Sequence, residues 1–169
     1  MRRTRSKYRI WRNLVAVESS DVLRQREYLR ANLETVFNPD SKRRQASVPE
    51  TDPIISRIIS KLSRVLNGHT LQNPVVLQSL PNCKQQPWHL DYDPTNTTGF
   101  GLLLALQDET RLELLEETVH LNRGDVLVFR GDVVHAGSWY EQENLRIHAY
   151  VDVEGASRPA NATYIIREF

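Results

Sequence analysis

His89, Leu90 and Asp91 set two potential metal ligands one residue apart; His135 follows Asp91 by 44 residues, and Arg146 lies 11 further on. Two imidazoles and one carboxylate are the ligand set of a mononuclear non-heme Fe(II) site with one face open. Extended backbone turns successive side chains to opposite faces, so a strand through His89 and Asp91 aims both the same way. His135 must then arrive from another element. Arg146 carries a permanent charge on a planar fork, a shape suited to holding a carboxylate. The four residues together predict iron and an acidic cosubstrate.

The elements that must position them divide the chain in two. Ser20 and Asp21 are N-cap candidates for a helix running to about Phe37, where Asn38-Pro39-Asp40 stops it. Residues 39–50 read as a polar loop carrying Lys42, Arg43 and Arg44. A second helix is capped by Thr51 or Asp52, has Pro53 in its first turn and is followed by Gly68. Ile54, Ile55, Ile58, Ile59, Leu62, Val65 and Leu66 line one of its faces at helical spacing, and Arg57, Lys61 and Arg64 the other. That stripe predicts a helix packed on a sheet. From Pro74 onward, extended segments at 75–80, 85–91, 99–107, 111–117, 118–121, 125–129, 133–138 and 146–153 alternate with turn residues, and 162–167 is a ninth candidate. Many short strands with frequent turns indicate a barrel or a double-sheet jelly roll.

A length of 169 residues, 40% of them apolar and 25% charged, suits one soluble domain. No run is long enough to cross a membrane as a helix, so no membrane partner is expected. The single Cys83 cannot form an internal disulfide, which points to a reducing compartment, cytoplasmic or nuclear. The net charge of +1 hides a split: residues 1–70 carry 15 Lys+Arg against 7 Asp+Glu, and residues 71–169 carry 7 against 14. The first twelve residues hold Arg2, Arg3, Arg5, Lys7, Arg9 and Arg12 with no acid. Such a start occurs in nucleic-acid arms, nuclear signals, mitochondrial presequences and solvated termini.

The segment from Val75 to Val153 resembles the Fe(II)/2-oxoglutarate-dependent oxygenase superfamily. The residues that carry the resemblance are His89-Leu90-Asp91, Gly124-Asp125-Val126-Leu127-Val128-Phe129, Val134-His135-Ala136-Gly137 and Arg146-Ile147-His148-Ala149-Tyr150. The resemblance implies an α+β, mainly β fold: a double-stranded β-helix, or jelly-roll barrel, of eight core strands braced by N-terminal helices. It implies a basic arm at 1–19 and one dioxygenase domain at 20–169, with helical support at 20–68 and the jelly-roll core at 74–169. His89, Asp91 and His135 would bind Fe(II) and serve as the catalytic centre. Arg146 would hold 2-oxoglutarate, with Gln78 and His148 as further contacts to the cosubstrate or, for His148, to a ligand carboxylate. Tyr92, Asp93 and Trp139 would meet the substrate. O2 is the second cosubstrate, and succinate and CO2 are the co-products. Related halogenases replace the carboxylate with a small residue, so Asp91 implies hydroxylation or demethylation.

Subfamily features are sparse. Pro81 and the Asp91-Tyr92 pair echo prolyl hydroxylases, and the second Arg of nucleic-acid demethylases has no counterpart at the expected place. The basic front half leans the substrate toward a nucleic acid, ahead of a peptide or a small metabolite. A non-enzymatic, cupin-like barrel is the rival reading. A cupin ordinarily carries His-x-His and a Glu, and here Asp91 stands at the second His.

Overall fold

Period-two patterning through the strand-rich part produces two antiparallel sheets that face each other. The computed structural model describes residues 6–32, 34–35, 42–95, 98–153, 155–156 and 163–166. In chain order the elements are β1 (Tyr8–Trp11), α1 (Ser19–Ala31), β2 (Glu34–Thr35), β3 (Arg43–Ser47), α2 (Pro53–Leu66), β4 (His69–Ser79), β5 (His89–Leu90), β6 (Phe100–Ala105), β7 (Thr110–Leu114), β8 (Thr118–Leu121), β9 (Val126–Arg130), β10 (His135–Gly137), β11 (Asn144–Val153) and β12 (Tyr164–Ile165). The larger sheet runs β1-β9-β6-β11-β4-β3-β2 and the smaller β12-β5-β10-β7-β8. The eight strands β4 to β11 therefore divide four and four between the sheets, the arrangement of a double-stranded β-helix. Among the described residues, no helix is long and apolar enough to cross a membrane.

The larger sheet is buried on both faces. Leu102, Leu104, Leu145, Ile147, Ala149 and Val151 face the helices, together with Ile54, Ile55, Ile58 and Leu62 of α2. Leu103, Ala105, Leu127 and Phe129 face the smaller sheet and meet Leu112, Leu114, Val119 and Leu121. Burial on both sides explains why β6 reads as a continuous apolar run instead of an alternating one. The α2 stripe buries Ile54, Ile55, Ile58 and Leu62 completely, while Ile59 and Val65 at its margin are exposed. Asp52 caps α2 by accepting from Ile54 N at 2.8 Å, with Pro53 next. Asn67 and Gly68 end it with positive φ, a conformation that Asn and Gly adopt readily.

The front of the chain departs from the sequence reading in three places. Helix α1 starts at Ser19, its N-cap is Glu18, and it ends at Ala31; Asp21 is its third residue, and its carboxylate accepts from Glu18 N at 2.8 Å. Phe37 and Asn38-Pro39-Asp40 lie outside the described residues. The polar loop assigned to 39–50 contains strand β3, in which Arg43, Gln45 and Ala46 are buried. Polar composition hid that strand, because its inward side chains are hydrogen-bonding ones. The basic arm contributes β1, paired with β9 from Tyr8↔Phe129 to Trp11↔Val126. Arg2, Arg3 and Arg5 lie outside the described residues.

Helix α1 buries only Asp21, Gln25 and Leu29, so charge more than apolar contact fixes it. Asp52, whose side chain is fully buried, accepts from Arg24 Nε at 2.8 Å, Tyr28 Oη at 3.0 Å and Gln25 Nε2 at 3.2 Å. One carboxylate thus caps α2 and gathers three side chains of α1. Burial opposes its ionisation, but Arg24, the Ile54 amide and the Tyr28 hydroxyl outweigh that and hold its carboxyl below the ordinary 3.8. Its contribution to stability is complete above the unfolded value and is lost as pH falls through the lower folded one. Asp52→Ala is expected to destabilise by roughly 3 kcal/mol, from the lost cap and an unpaired Arg24. Thermal melts at pH 7 should show a fall of about 6–12 °C. Acid titration of the wild type should show stability declining below about pH 4, less steeply in Asp52→Asn.

Candidate metal centre

Strand register assembles the site. On β5 and β10, His89 and His135 are direct cross-strand partners, flanked by Ile165 of β12 on one side and Leu114 of β7 on the other. The row Ile165–His89–His135–Leu114 therefore crosses the smaller sheet. Cross-strand partners carry neighbouring side chains, and the two imidazole centroids are 4.4 Å apart. The strand forecast at 85–91 shrinks to His89–Leu90, and Asp91 sits in the bend just beyond. Pro87, with no N–H to give a ladder, precedes the shortened strand. Asp91 still turns inward: Oδ1 is 3.5 Å from His135 Nε2 and 3.9 Å from His89 Nε2. Among the described residues, these three are the group of His, Cys, Asp or Glu that could hold a metal, with all ligand atoms within 4.8 Å of one another.

The donor set fits a divalent ion. His89 Nδ1 lies 2.8 Å from Pro87 O and His135 Nδ1 lies 2.9 Å from Val133 O. Each Nδ1–H donates to a carbonyl two residues earlier, which leaves the Nε2 lone pair facing Asp91. Ligand bonds of about 2.1 Å put adjacent ligands about 3 Å apart, so a small contraction of the observed spacing would complete one face of an ion. Burial, with the charge of His135 next, pushes His89 down to about 4, so it is a neutral donor near neutral pH. Burial opposes charge on Asp91 as well, yet His135 and His148 outweigh it and hold the carboxyl well below its ordinary range. His135 moves upward: burial works against its proton, and Asp91 more than compensates.

The facing sheet supplies the rest. On β11, Arg146 and His148 point inward, in rows with Leu77 and Ala105 and with Val75 and Leu103. His148 Nε2 is 3.1 Å from Asp91 Oδ2, and the ring also lines the cavity. Arg146 is buried; its Nη1 donates to Ser79 Oγ at 3.1 Å and Asn144 Oδ1 at 3.3 Å, and its guanidinium carbon lies 5.5 Å from the Tyr140 ring centre. Among the described residues it pairs with no carboxylate, and its remaining N–H groups have no hydrogen-bond partner. Glu143 is taken by Arg26 and Gln78. A buried cation beside an open metal face fits a small dianion. The enclosed space is about 180 Å³, walled by Leu77, Leu103, Leu112 and Phe129, with Gln45, Gln86, Pro87, Thr163 and Ile165 among its other lining residues.

The other expected site residues lie off the cavity wall. Gln78 is on β4 as expected, but Leu77 and Ser79 take the inward positions and Gln78 faces Glu143 on the outside. Tyr92 is buried: its ring fits where Gly99 and Gly131 have no Cβ, and its hydroxyl donates to Phe100 O at 3.2 Å. It packs the loop behind Asp91 and does not line the cavity. Asp93 is exposed and accepts from Thr95 N at 2.8 Å. Trp139 is 45% exposed, with Arg111 stacked 4.7 Å from its ring centre, and it is not part of the cavity wall. Sequence reasoning missed Ser79, Gln45, Gln86, Thr163 and Ile165; the available signal was alternation from Leu77 and pairing of the ninth strand.

The chain matches no family model and no curated protein sequence. Its fold does match solved structures. A viral collagen prolyl hydroxylase from Paramecium bursaria Chlorella virus-1, in a 2-oxoglutarate complex, aligns over 88% of this chain and 97% of its own at 15% identity, with a TM-score of 0.68. HygX from Streptomyces hygroscopicus, with nickel, 2-oxoglutarate and hygromycin B bound, aligns over 89% and 84% at 14% identity, TM-score 0.63. A Pseudomonas putida prolyl-4-hydroxylase aligns over 88% and 94% at 12% identity, TM-score 0.61. The fold is that of the Fe(II)/2-oxoglutarate-dependent oxygenases.

His148→Ala removes a hydrogen bond from a ligand carboxylate, and divalent-metal affinity should fall 10–100-fold in a Mn(II) titration. In Gly131→Ala, the new Cβ runs into the Tyr92 ring, next to Asp91. Overpacking of this kind should lower stability by about 1–3 kcal/mol and weaken Mn(II) binding in the same titration.

Proposed function

We propose that this protein is an Fe(II)- and 2-oxoglutarate-dependent dioxygenase that hydroxylates or demethylates its substrate. The observation that supports this most is the convergence of His89, Asp91 and His135 opposite a buried Arg146 that has no acidic partner among the described residues. Iron with 2-oxoglutarate and O2 supplies oxidation of a C–H bond, with succinate and CO2 released. The three ligands leave one side of the metal open. Arg146, braced by Ser79 and Asn144, presents its remaining N–H donors to the far carboxylate of the cosubstrate. Leu77, Leu103, Leu112 and Phe129 keep water away from the carbon chain between.

The lean toward a nucleic-acid substrate draws no support from the ion pairs or from the cavity. Five basic residues of the front half pair with carboxylates: Lys7 with Glu116 and Arg12 with Asp125 at the surface, and Arg24 with Asp21 and Asp52, Arg26 with Glu143 and Arg57 with Asp21 in less exposed places. Gln45, Gln86, Pro87, Thr163 and Ile165 are all uncharged. A cavity of about 180 Å³ is below the usual size for a whole drug-sized ligand. The reading this supports is a peptide or small organic substrate that offers an uncharged carbon to the metal while its bulk stays outside.

The test is an anaerobic titration with Fe(II), then 2-oxoglutarate, followed by visible absorption. A charge-transfer band that requires both additions is expected, lost in Asp91→Ala and weakened at least tenfold in cosubstrate affinity in Arg146→Ala. Folded, metal-loaded wild type that gives no band would leave a metal-binding barrel without this cosubstrate.

A further inference from the structure

Arg43 stands out as a buried guanidinium in a segment that the sequence presents as a polar loop. It lies on β3, in the outer part of the larger sheet, and is 3% exposed. Its Nη1 donates to Ser79 Oγ at 2.9 Å. Its Nη2 lies within hydrogen-bond distance of three carbonyls: Lys84 at 2.7 Å, Gly137 at 3.0 Å and Ser138. Gly137 and Ser138 follow His135 by two and three residues, on and just past β10. Lys84 belongs to the loop that leads into β5. Ser79 is the hydroxyl that Arg146 also uses. One side chain of the larger sheet therefore grips both ligand-bearing segments of the smaller sheet and touches the support of the cosubstrate cation. Gln86 closes the same junction: its backbone N donates to Gly137 O at 2.9 Å, and its Oε1 accepts from Gly137 N at 3.0 Å. A Cβ at Gly137 would strike that Oε1 and approach Arg43 Nη1 to 2.9 Å, so the glycine leaves room for the grip.

We propose that Arg43 is a positioning residue that sets the spacing of the metal ligands by tying the β10 end and the β5 approach to β3 and, through Ser79, to β4. This rests on the metal-site reading above. Arg43 does not line the cavity and touches no ligand atom; it acts through the backbone that carries His135 and His89. Three carbonyls and a hydroxyl arranged around one planar fork suit a guanidinium, and an ammonium on a flexible stem cannot span them. A positive charge is therefore insufficient, and Lys should fail to substitute.

The experiment compares Mn(II) dissociation constants, from the electron paramagnetic resonance of free Mn(II), with melting temperatures across the wild type and five variants. Arg43→Lys and Arg43→Met should bind Mn(II) 10–100-fold more weakly, the range for loss of a group that orients ligands. Ile58→Ala, in the core on the helix side, should melt lower yet keep its Mn(II) affinity within twofold, which separates positioning from general destabilisation. Gly137→Ala keeps Arg43 while crowding its grip, and should lose at least tenfold even if the Arg43 variants do not fold. His135→Ala should lose binding altogether. Wild-type affinity in folded Arg43→Lys, or in Gly137→Ala, overturns the proposal. Wild-type protein that binds no Mn(II), or binds it equally in His135→Ala, overturns the metal-site reading and this proposal with it.

Discussion

Asp91 is a buried carboxylate that accepts from His148 on one oxygen and faces the Nε2 atoms of His135 and His89 with the other. An isolated carboxylate is very unfavourable in such a place, so everything around it must supply positive charge and hydrogen bonds. The requirement sets the layout of both sheets. His89 and His135 are brought side by side by strand register, and each is locked in one tautomer by a carbonyl of its own chain. His148 and Arg146 come from the opposite sheet. Tyr92 packs behind, in the space left by two glycines.

A polar centre between two sheets removes apolar area from the interior, and the fold makes this up elsewhere. The inter-sheet core is completed by Leu103, Leu127, Phe129 and the leucines of β7 and β8, of which Leu103, Leu112 and Phe129 also wall the cavity. The larger hydrophobic cluster lies on the far side of the larger sheet, under α1 and α2. The helices thus provide apolar burial that the polar side between the sheets cannot. Three basic residues of the front half reach carboxylates of the back half across long sequence separations: Lys7 to Glu116, Arg12 to Asp125 and Arg26 to Glu143.

Several parts of this were legible in the residues. His89, Asp91, His135 and Arg146 could be singled out from type and spacing, and the eight-strand count put them on the second, seventh and eighth core strands, where His89, His135 and Arg146 are found, with Asp91 in the bend just past the second. The α2 stripe and its cap were readable because helical period and capping act locally. What escaped depends on contacts between distant segments. Strand β3 has a polar sequence because its inward residues serve hydrogen bonds, and only the approach of β10 and Lys84 explains a buried Arg43. Gln78 was given the right strand and the wrong face, since alternation fixes relative but not absolute orientation. Tyr92 was read as substrate-facing because nothing local reveals that Gly99 and Gly131 make a slot for its ring. The charge split leaned the substrate toward a nucleic acid, whereas three of the basic residues of the front half pair with carboxylates of the back half, contacts that no local pattern reveals.

The row Ile165–His89–His135–Leu114 has an evolutionary implication. The wall of the opening and the metal ligands hang on one ladder but on different strands, with β12 at the outer edge of the sheet. Changes at 163 and 165 can widen, narrow or polarise the entrance while both imidazoles keep their neighbours. On the function proposed above, reactivity and selectivity rest on separable residues, so the entrance can be reshaped without rebuilding the centre.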